Sequence, residues 1–280
     1  MLPAIDEIIK ATLEEDIRGG DITSLAVISK DVNASGKFLI KQNGIIAGLE
    51  VAERCFHLYD EKIRFIKNIS DGDKVLSGEI AAQVYGSAIS LLTVERTALN
   101  FLQRMSGIAT TANIYQQKIN HTKAKIIDTR KTVPGLRVID KLAVTFGGCE
   151  NHRMGLYDMF LIKDNHIAVA GSITSAVNAA VKFKEEKKLS AKIEVETKNL
   201  AEVEEALSTQ ADIIMLDNFS IDEMKKAVSI INGKCRIEAS GGITLDTIKE
   251  IAETGVDYIS VGALTHSVKA LDISLEIETE

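Results

Sequence analysis

No run in this 280-residue chain approaches the ~18 consecutive apolar residues of a membrane-crossing helix, so no membrane partner is expected. Cysteine is scarce: Cys55, Cys149 and Cys235, odd in number and widely spaced, fit neither a disulfide framework nor a zinc site. A reducing, cytoplasmic compartment is expected. Positive charge is short as well, since 33 Lys and Arg against 40 Asp and Glu leave a net −7. Bulk nucleic-acid binding needs a basic face that displaces many counterions, and this balance argues against it. The opening M-L-P-A-I-D-E-I-I-K-A-T-L-E-E-D reads as an acidic amphipathic helix, without the basic head and apolar core of a signal peptide. Low-complexity and linker-like stretches are missing too, so the parts of the chain are expected to pack closely. What is present is apolar bulk: 45% hydrophobic residues suffice for one barrel-sized domain or two ordinary ones.

The pattern changes near residue 108. Over 34–92, short alternating or apolar runs such as K-F-L-I-K and E-I-A-A-Q-V-Y are punctuated by glycine and by turns such as Ser70-Asp71-Gly72-Asp73, which predicts a small antiparallel sheet. One covering helix is expected over 50–59, and a long helix, or a pair broken around Ser106-Gly107, over 94–120. Strands then alternate with helices. Six strands are clear, over 125–128, 159–163, 192–196, 212–217, 236–240 and 258–262, with helices over 200–207, 221–231 and 245–253. The last four end in Glu196, Asp217, Ser240 and Gly262, spaced by 21, 23 and 22 residues. Successive right-handed βα units bring such ends to one face, where barrels hold their sites. Six strands, with room for a seventh, fall short of eight. The expected fold is therefore an incomplete or atypical α/β barrel, with a doubly wound open sheet as the alternative.

Charge is concentrated where the sheet pattern begins. From Arg96 to His166 there are eleven Lys or Arg and five Asp or Glu, a formal +6 that leaves −13 for the rest. Within it, residues 128–167 set Arg130, Lys131, Arg137, Lys141, His152, Arg153, Lys163 and His166 between short apolar runs, with Arg96 and Arg104 in the helix before. Taken singly, each fits a surface cation. Together, in structured sequence, they argue for a small bound anion, with arginine forks and compact lysine charges suited to carboxylate and phosphate together.

Glu196 and Asp217 can hold Mg2+ through water or stabilise a developing positive charge, although Asp217 also fits a helix cap. Glu194 shares the face parity of Glu196, and spacing alone does not choose between them. The segments E-A-S-G-G-I-T and S-V-G-A-L-T are phosphate candidates, because small residues let backbone amides approach an anion and each leads toward a helix start. His152 fits either an anion contact, a base or a structural role. His57, His121 and His266 default to structural roles, and Cys149, with no paired base, to a packed thiol.

These residues carry a resemblance. E-E-D-I-R-G-G-D-I-T-S, E-R-T-A-L-N-F-L-Q-R-M-S-G-I-A-T, T-R-K-T-V-P-G-L-R, N-H-R, K-D-N-H-I, L-D-N-F, A-S-G-G-I and S-V-G-A-L-T span nearly the whole chain, which thereby resembles the quinolinate phosphoribosyltransferase family. The resemblance implies a transfer from phosphoribosyl pyrophosphate to quinolinate that yields nicotinate mononucleotide, pyrophosphate and CO2 in NAD synthesis, with Mg2+. It implies an N-terminal α/β sandwich domain, residues 1–108, joined by a C-terminal helix over 267–280. An atypical, seven-stranded α/β barrel follows over 109–266. It also implies a homodimer or an assembly of dimers, with Arg96 reaching the neighbouring site. Arg130, Arg153 and His152 would hold the two quinolinate carboxylates, with Thr129 lining the site. Lys131 and Lys163 would serve the pyrophosphate and the substrate charges. Glu196, now favoured over Glu194, and Asp217 would face the ribose and the magnesium, and together with Lys131 and Lys163 they form the catalytic set. Ser240, Gly241 and Gly242, with Val261, Gly262 and Ala263, would cradle the 5′-phosphate. Cys149 and Asp164 stand where the family commonly has glycine and glutamate, which puts only loop detail in question. Two alternatives remain: a related transferase with another substrate, and a non-catalytic barrel that binds phosphoribosyl compounds.

Overall fold

The structure, a computed structural model, describes residues 2–279, and of residues 2 and 3 the backbone alone. Its strands are β1 (Asn33–Ile40), β2 (Gly44–Ile45), β3 (Arg64–Lys67), β4 (Lys74–Val75), β5 (Ile80–Ser87) and β6 (Lys125–Ile127). They continue with β7 (Phe160–Ile162), β8 (Ile193–Thr197), β9 (Ile213–Asp217), β10 (Arg236–Ser240), β11 (Tyr258–Ser260) and β12 (Ile273–Thr279). The chain divides into two compact units, one of Met1–Asn113, Thr132–Gly148 and Leu264–Glu280, the other of Ile114–Lys131 and Cys149–Ala263.

In the first unit the sheet runs β12-β1-β5-β3, antiparallel throughout. Along β1, side chains alternate strictly between core and surface, placing Ala34, Phe38 and Ile40 inside. Phe38 meets Phe56, from the covering helix Leu49–Tyr59, at a ring separation of 6.3 Å, and Phe65 at 5.5 Å. The expected C-terminal helix is a strand. Ile273, Leu275 and Ile277 alternate with Ser274, Glu276 and Glu278, a period of two that lays one row against the core. Lys37 and Lys41 pair with Glu278 and Glu276 at 3.1 and 3.2 Å on the other face.

The long helix is also unbroken, running Ala88–Ile119 through Ser106 and Gly107. Gly107 serves close approach rather than a bend: a Cβ there would stand 2.1 Å from the carbonyl oxygen of Lys269. Ser106 is buried and its hydroxyl donates to the Ala47 carbonyl. On the same helix Arg104 makes a two-pronged contact, 2.8 Å on each arm, with the fully buried Asp140 of helix Arg137–Phe146.

In the second unit six parallel strands form one sheet in the order β6-β11-β10-β9-β8-β7. The seventh strand expected from the resemblance is reduced to a single bridge, in which Glu150 pairs with Ile127 outboard of β6. The register sorts the side chains into two unlike faces. One carries Ile126, Ile162, Ile193, Val195, Ile214, Leu216, Ile237, Ala239 and Ile259, all buried. The intervening helices bring apolar residues to bury, among them Val177, Val203, Ala227 and Ile251. The opposite face carries Glu194 and Glu196, Asp217, Glu238 and Ser240, and Ser260, set among Ile127, Leu161, Ile213 and Met215. A flat sheet would set β8 about 19 Å from β6, at roughly 4.8 Å per strand. Yet His152, two residues beyond the bridge at β6, lies 2.9 Å from Glu194 on β8. The sheet therefore curls, with its polar face inside.

Candidate active site

Asp128 ties together the two cationic segments of the second unit. Fully buried at the end of β6, it gives its amide to the Glu150 carbonyl and accepts the His152 amide on Oδ1 at 2.9 Å. The next residues, Thr129, Arg130 and Lys131, turn outward at the carboxyl end of the sheet, with the Lys131 amide donated to Thr129 Oγ1 at 3.1 Å. In this way 128–131 and 150–153 are fixed to one another by main-chain geometry.

Arg153 is half-buried. One arm, Nη1, donates to the Met159 carbonyl at 3.1 Å, while Nε is buried without an acceptor. Burial first, and then the positive charge of Arg130, pull its guanidinium below its ordinary pKa. Two guanidinium groups held within each other's field, one with an unsatisfied buried donor, are arranged for an anion carrying more than one oxygen.

His152 does not present a ring nitrogen to that anion position. Its Nδ1 accepts the Arg153 amide at 2.8 Å and its Nε2 lies 2.9 Å from Glu194 Oε2 and 3.5 Å from Glu238 Oε2. The Asp128 carboxylate holds the His152 amide, and the imidazole of the segment after Glu150 lies against Glu194 inside the curl of the sheet.

Across the rim, Lys163 at the end of β7 meets Glu196 on β8 at 2.7 Å. The K-D-N-H-I motif explains its placement: the Lys163 amide donates to His166 Nδ1 at 2.9 Å, and Asp164 is held by Lys198 at 2.9 Å. Glu196 sits one turn of the pleat nearer the rim than Glu194, which is fully buried. Asp217 ends β9 on the same face, where its Oδ2 accepts from Asn218 Nδ2. Glu196 and Asp217 are thus neighbouring carboxylates at strand ends, a donor set suited to a hard cation that keeps most of its water.

Ser240-Gly241-Gly242 and Val261-Gly262-Ala263 leave the adjacent strands β10 and β11. Gly241 and Gly242 have φ of +95° and +61°, conformations natural to glycine. A Cβ on Gly241 would meet the Asn218 side chain at 2.2 Å, whereas one on Gly242 would enter open space. Gly241→Ala is expected to cost about 1–3 kcal/mol in stability from backbone strain and overlap, measured by urea denaturation; no change would show that the loop rearranges freely. The helix starts expected here are slight, since Ala263–His266 is four residues long and Ile248–Glu253 begins six residues after Gly242. Any phosphate cradle therefore rests on glycine amides rather than on helix dipoles.

The charge-rich stretch is divided between the two units. Arg137 and Lys141 go with helix Arg137–Phe146 to the first unit, as does Arg96, which is exposed on the long helix 4.0 Å from Glu95. Cys149 is a packed thiol, its pKa pushed up to about 12 by burial and then by Asp128. His57, His121 and His266 make local contacts to Ile63, Glu253 and Ser267. Sequence reasoning gave no role to Asp128, Glu238 or Asn218, and weighed Glu194 only as the alternative to Glu196. The only signal for the two glutamates was parity, each lying two residues before a strand-end residue of the site.

Residues 21–106 match the family described as quinolinate phosphoribosyl transferase, N-terminal domain, and residues 108–276 its C-terminal domain. The chain is 46% identical over 289 residues to quinolinate phosphoribosyltransferase (decarboxylating) 1b of Nicotiana tabacum, covering 98% of this chain and 82% of that protein. It is 42% identical to a probable nicotinate-nucleotide pyrophosphorylase (carboxylating) of Bacillus subtilis, covering 94% and 90%. Among solved structures, the nicotinate-nucleotide pyrophosphorylase of Francisella tularensis superposes with a TM-score of 0.94 at 41% identity, covering 99% and 96%.

Proposed function

The chain belongs to the quinolinate phosphoribosyltransferase family, and from that premise we propose that it joins quinolinate to the ribose of phosphoribosyl pyrophosphate, with loss of CO2, at the carboxyl rim of its parallel sheet. The product, nicotinate mononucleotide, serves NAD biosynthesis. The observation that carries the assignment of substrate is the buried Arg153 Nε without an acceptor beside Arg130, since quinolinate brings two adjacent carboxylates that would satisfy both guanidinium groups.

In the first step the quinolinate nitrogen bonds to C1′ as the C1′–oxygen bond to pyrophosphate breaks, and the electron pair leaves with pyrophosphate. Glu196 and Asp217 stabilise the positive charge that builds on the ribose. Lys131 and Lys163 balance the departing anion, with Glu196 holding the Lys163 ammonium in place. Ser240, Gly241 and Gly242, with Val261, Gly262 and Ala263, take the 5′-phosphate through backbone amides. Glu196 and Asp217 would hold Mg2+, which when bound supplies further charge neutralisation on the pyrophosphate. In the second step the carbon–carboxylate bond breaks, CO2 leaves, and its electron pair stays on the ring carbon beside the now positive nitrogen until a proton from water adds there. The enzyme acts as a homodimer or an assembly of dimers, with the exposed Arg96 reaching the partner's site. Its three free cysteines support a cytoplasmic setting, and no helix among the described residues is long and apolar enough to cross a membrane.

The test is pyrophosphate release with quinolinate or nicotinate as acceptor, phosphoribosyl pyrophosphate and Mg2+ being present. Release with quinolinate is expected. Preference for nicotinate, or no release at all, would replace this reading with another acceptor or with a binding protein.

A further inference from the structure

Three buried side chains inside the curl have no part in the transfer just described. Glu194 and Glu238 are 0% and 1% exposed, and His152 lies between them. Three of the four carboxylate oxygens, Glu194 Oε1 and both of Glu238, lack a hydrogen-bond partner. Leaving such groups unsatisfied in a protein interior is costly, so the cluster holds something that satisfies them.

A cation is the first candidate, because donor atoms of all three residues lie within 4.8 Å of one another. The imidazole argues against it. A neutral ring that coordinates through Nε2 carries its proton on Nδ1, and Nδ1 is where the Arg153 amide donates at 2.8 Å. Two N–H groups cannot face each other there.

The same contact settles the ring's charge. Burial lowers the pKa of His152, while hydrogen bonding and charge from Glu194 and Glu238 would hold it at about 9. An imidazolium, however, would again set a proton on Nδ1 against the Arg153 amide. The alternative keeps the ring neutral with its proton on Nε2, donated to Glu194 at 2.9 Å with Glu238 at 3.5 Å. The other charged groups around the ring are Asp128, which holds the His152 amide, and Arg153 itself.

We propose that Glu194 and Glu238 are positioning residues that fix His152 as its neutral Nε2–H tautomer, so that Nδ1 holds the Arg153 amide and thereby aims the Arg153 guanidinium at the substrate carboxylate. The role of the guanidinium rests on the function proposed above; the tautomer does not. The chain of contacts is Glu194 and Glu238 to Nε2, Nδ1 to the Arg153 amide, and Arg153 to the anion position. It links buried carboxylates on β8 and β10 to substrate alignment at the rim.

The test has two arms. Nitrogen-15 NMR of histidine-labelled enzyme without substrate reads the tautomer, with the His152 signals assigned by His152→Gln. A neutral Nε2–H ring is expected at pH 7. An imidazolium, an Nδ1–H ring, or a stoichiometric metal that survives dialysis and is lost in Glu194→Gln would overturn the proposal. Kinetics form the second arm. Glu194→Leu is expected to raise the quinolinate KM about tenfold, the scale of one lost hydrogen bond, with kcat changed less than about threefold. Glu194→Gln retains an acceptor for Nε2–H and is expected to bring KM back to within about threefold of the parent. Equal KM in the two variants would reduce the cluster to a structural role. If Glu194→Leu does not fold, the NMR of the parent and of Glu194→Gln decides alone. An enzyme with the expected tautomer but no activity on quinolinate would overturn the function and leave the cluster standing.

Discussion

Arg153→Ala raises the quinolinate KM by about 100-fold while stability changes by less than about 1 kcal/mol. Two parallel charge-assisted hydrogen bonds to a carboxylate contribute roughly 3 kcal/mol, which is about two decades in binding. The folded enzyme without substrate loses little: one bond from Nη1 to the Met159 carbonyl, together with a buried donor that had no partner. Arg130→Ala, at an exposed position, follows the same direction with a loss of about tenfold, since water screens part of its contribution. Initial-rate kinetics paired with urea denaturation separates the two effects. Quinolinate affinity left intact in both variants would remove the carboxylates from this part of the sheet.

Arg104→Ala has the opposite profile. Asp140 is fully buried, and both its oxygens are taken by the Arg104 fork at 2.8 Å. Removing one partner of a buried ion pair leaves an uncompensated charge, at a cost of about 3–5 kcal/mol. The double replacement Arg104→Leu with Asp140→Leu is expected to recover most of that loss, because well-packed apolar groups replace buried pairs at little cost. Urea midpoints of parent, single and double variants provide the measurement, and a single variant within 1 kcal/mol of the parent would show that water reaches Asp140. The two arginines lie in one charge-rich stretch of sequence, yet one is proposed to serve a ligand and the other holds the fold.

That distinction was not legible from the sequence, because it depends on what faces each guanidinium. The alternation of strand and helix after residue 120 was legible: Ile221–Ile231 and Leu200–Leu207 fall where periodicity set them. Strand ends at Asp217 and Ser240 were legible for the same reason, each closing an apolar run, while the strand expected to end at Glu196 runs one residue further, to Thr197. The helix expected over 267–280 was taken from the resemblance and not from the residues, whose period of two over 273–279 pairs the segment with β1 as a strand. Gly107 read as a helix break because the chain that approaches it lies more than 150 residues away. Glu238 was invisible for a subtler reason. In R-I-E-A-S a carboxylate between apolar residues suggests the solvent side of a strand, and the curl of the sheet turns that side inward.

The pairing of β12 with β1 also sets an order of events on the ribosome. Residues 34–40 form the first of the described strands, and the partner of their outer edge, residues 273–279, is synthesised after all the others. Until then β1 pairs only with β5 and offers a row of unmatched amides and carbonyls, an edge open to any extended chain nearby. Parallel strands β8 to β11 are complete before that moment, so the amino-terminal sheet is the last to close although its residues come first. During synthesis, this sheet is where aggregation has its opening and where a chaperone would have work to do.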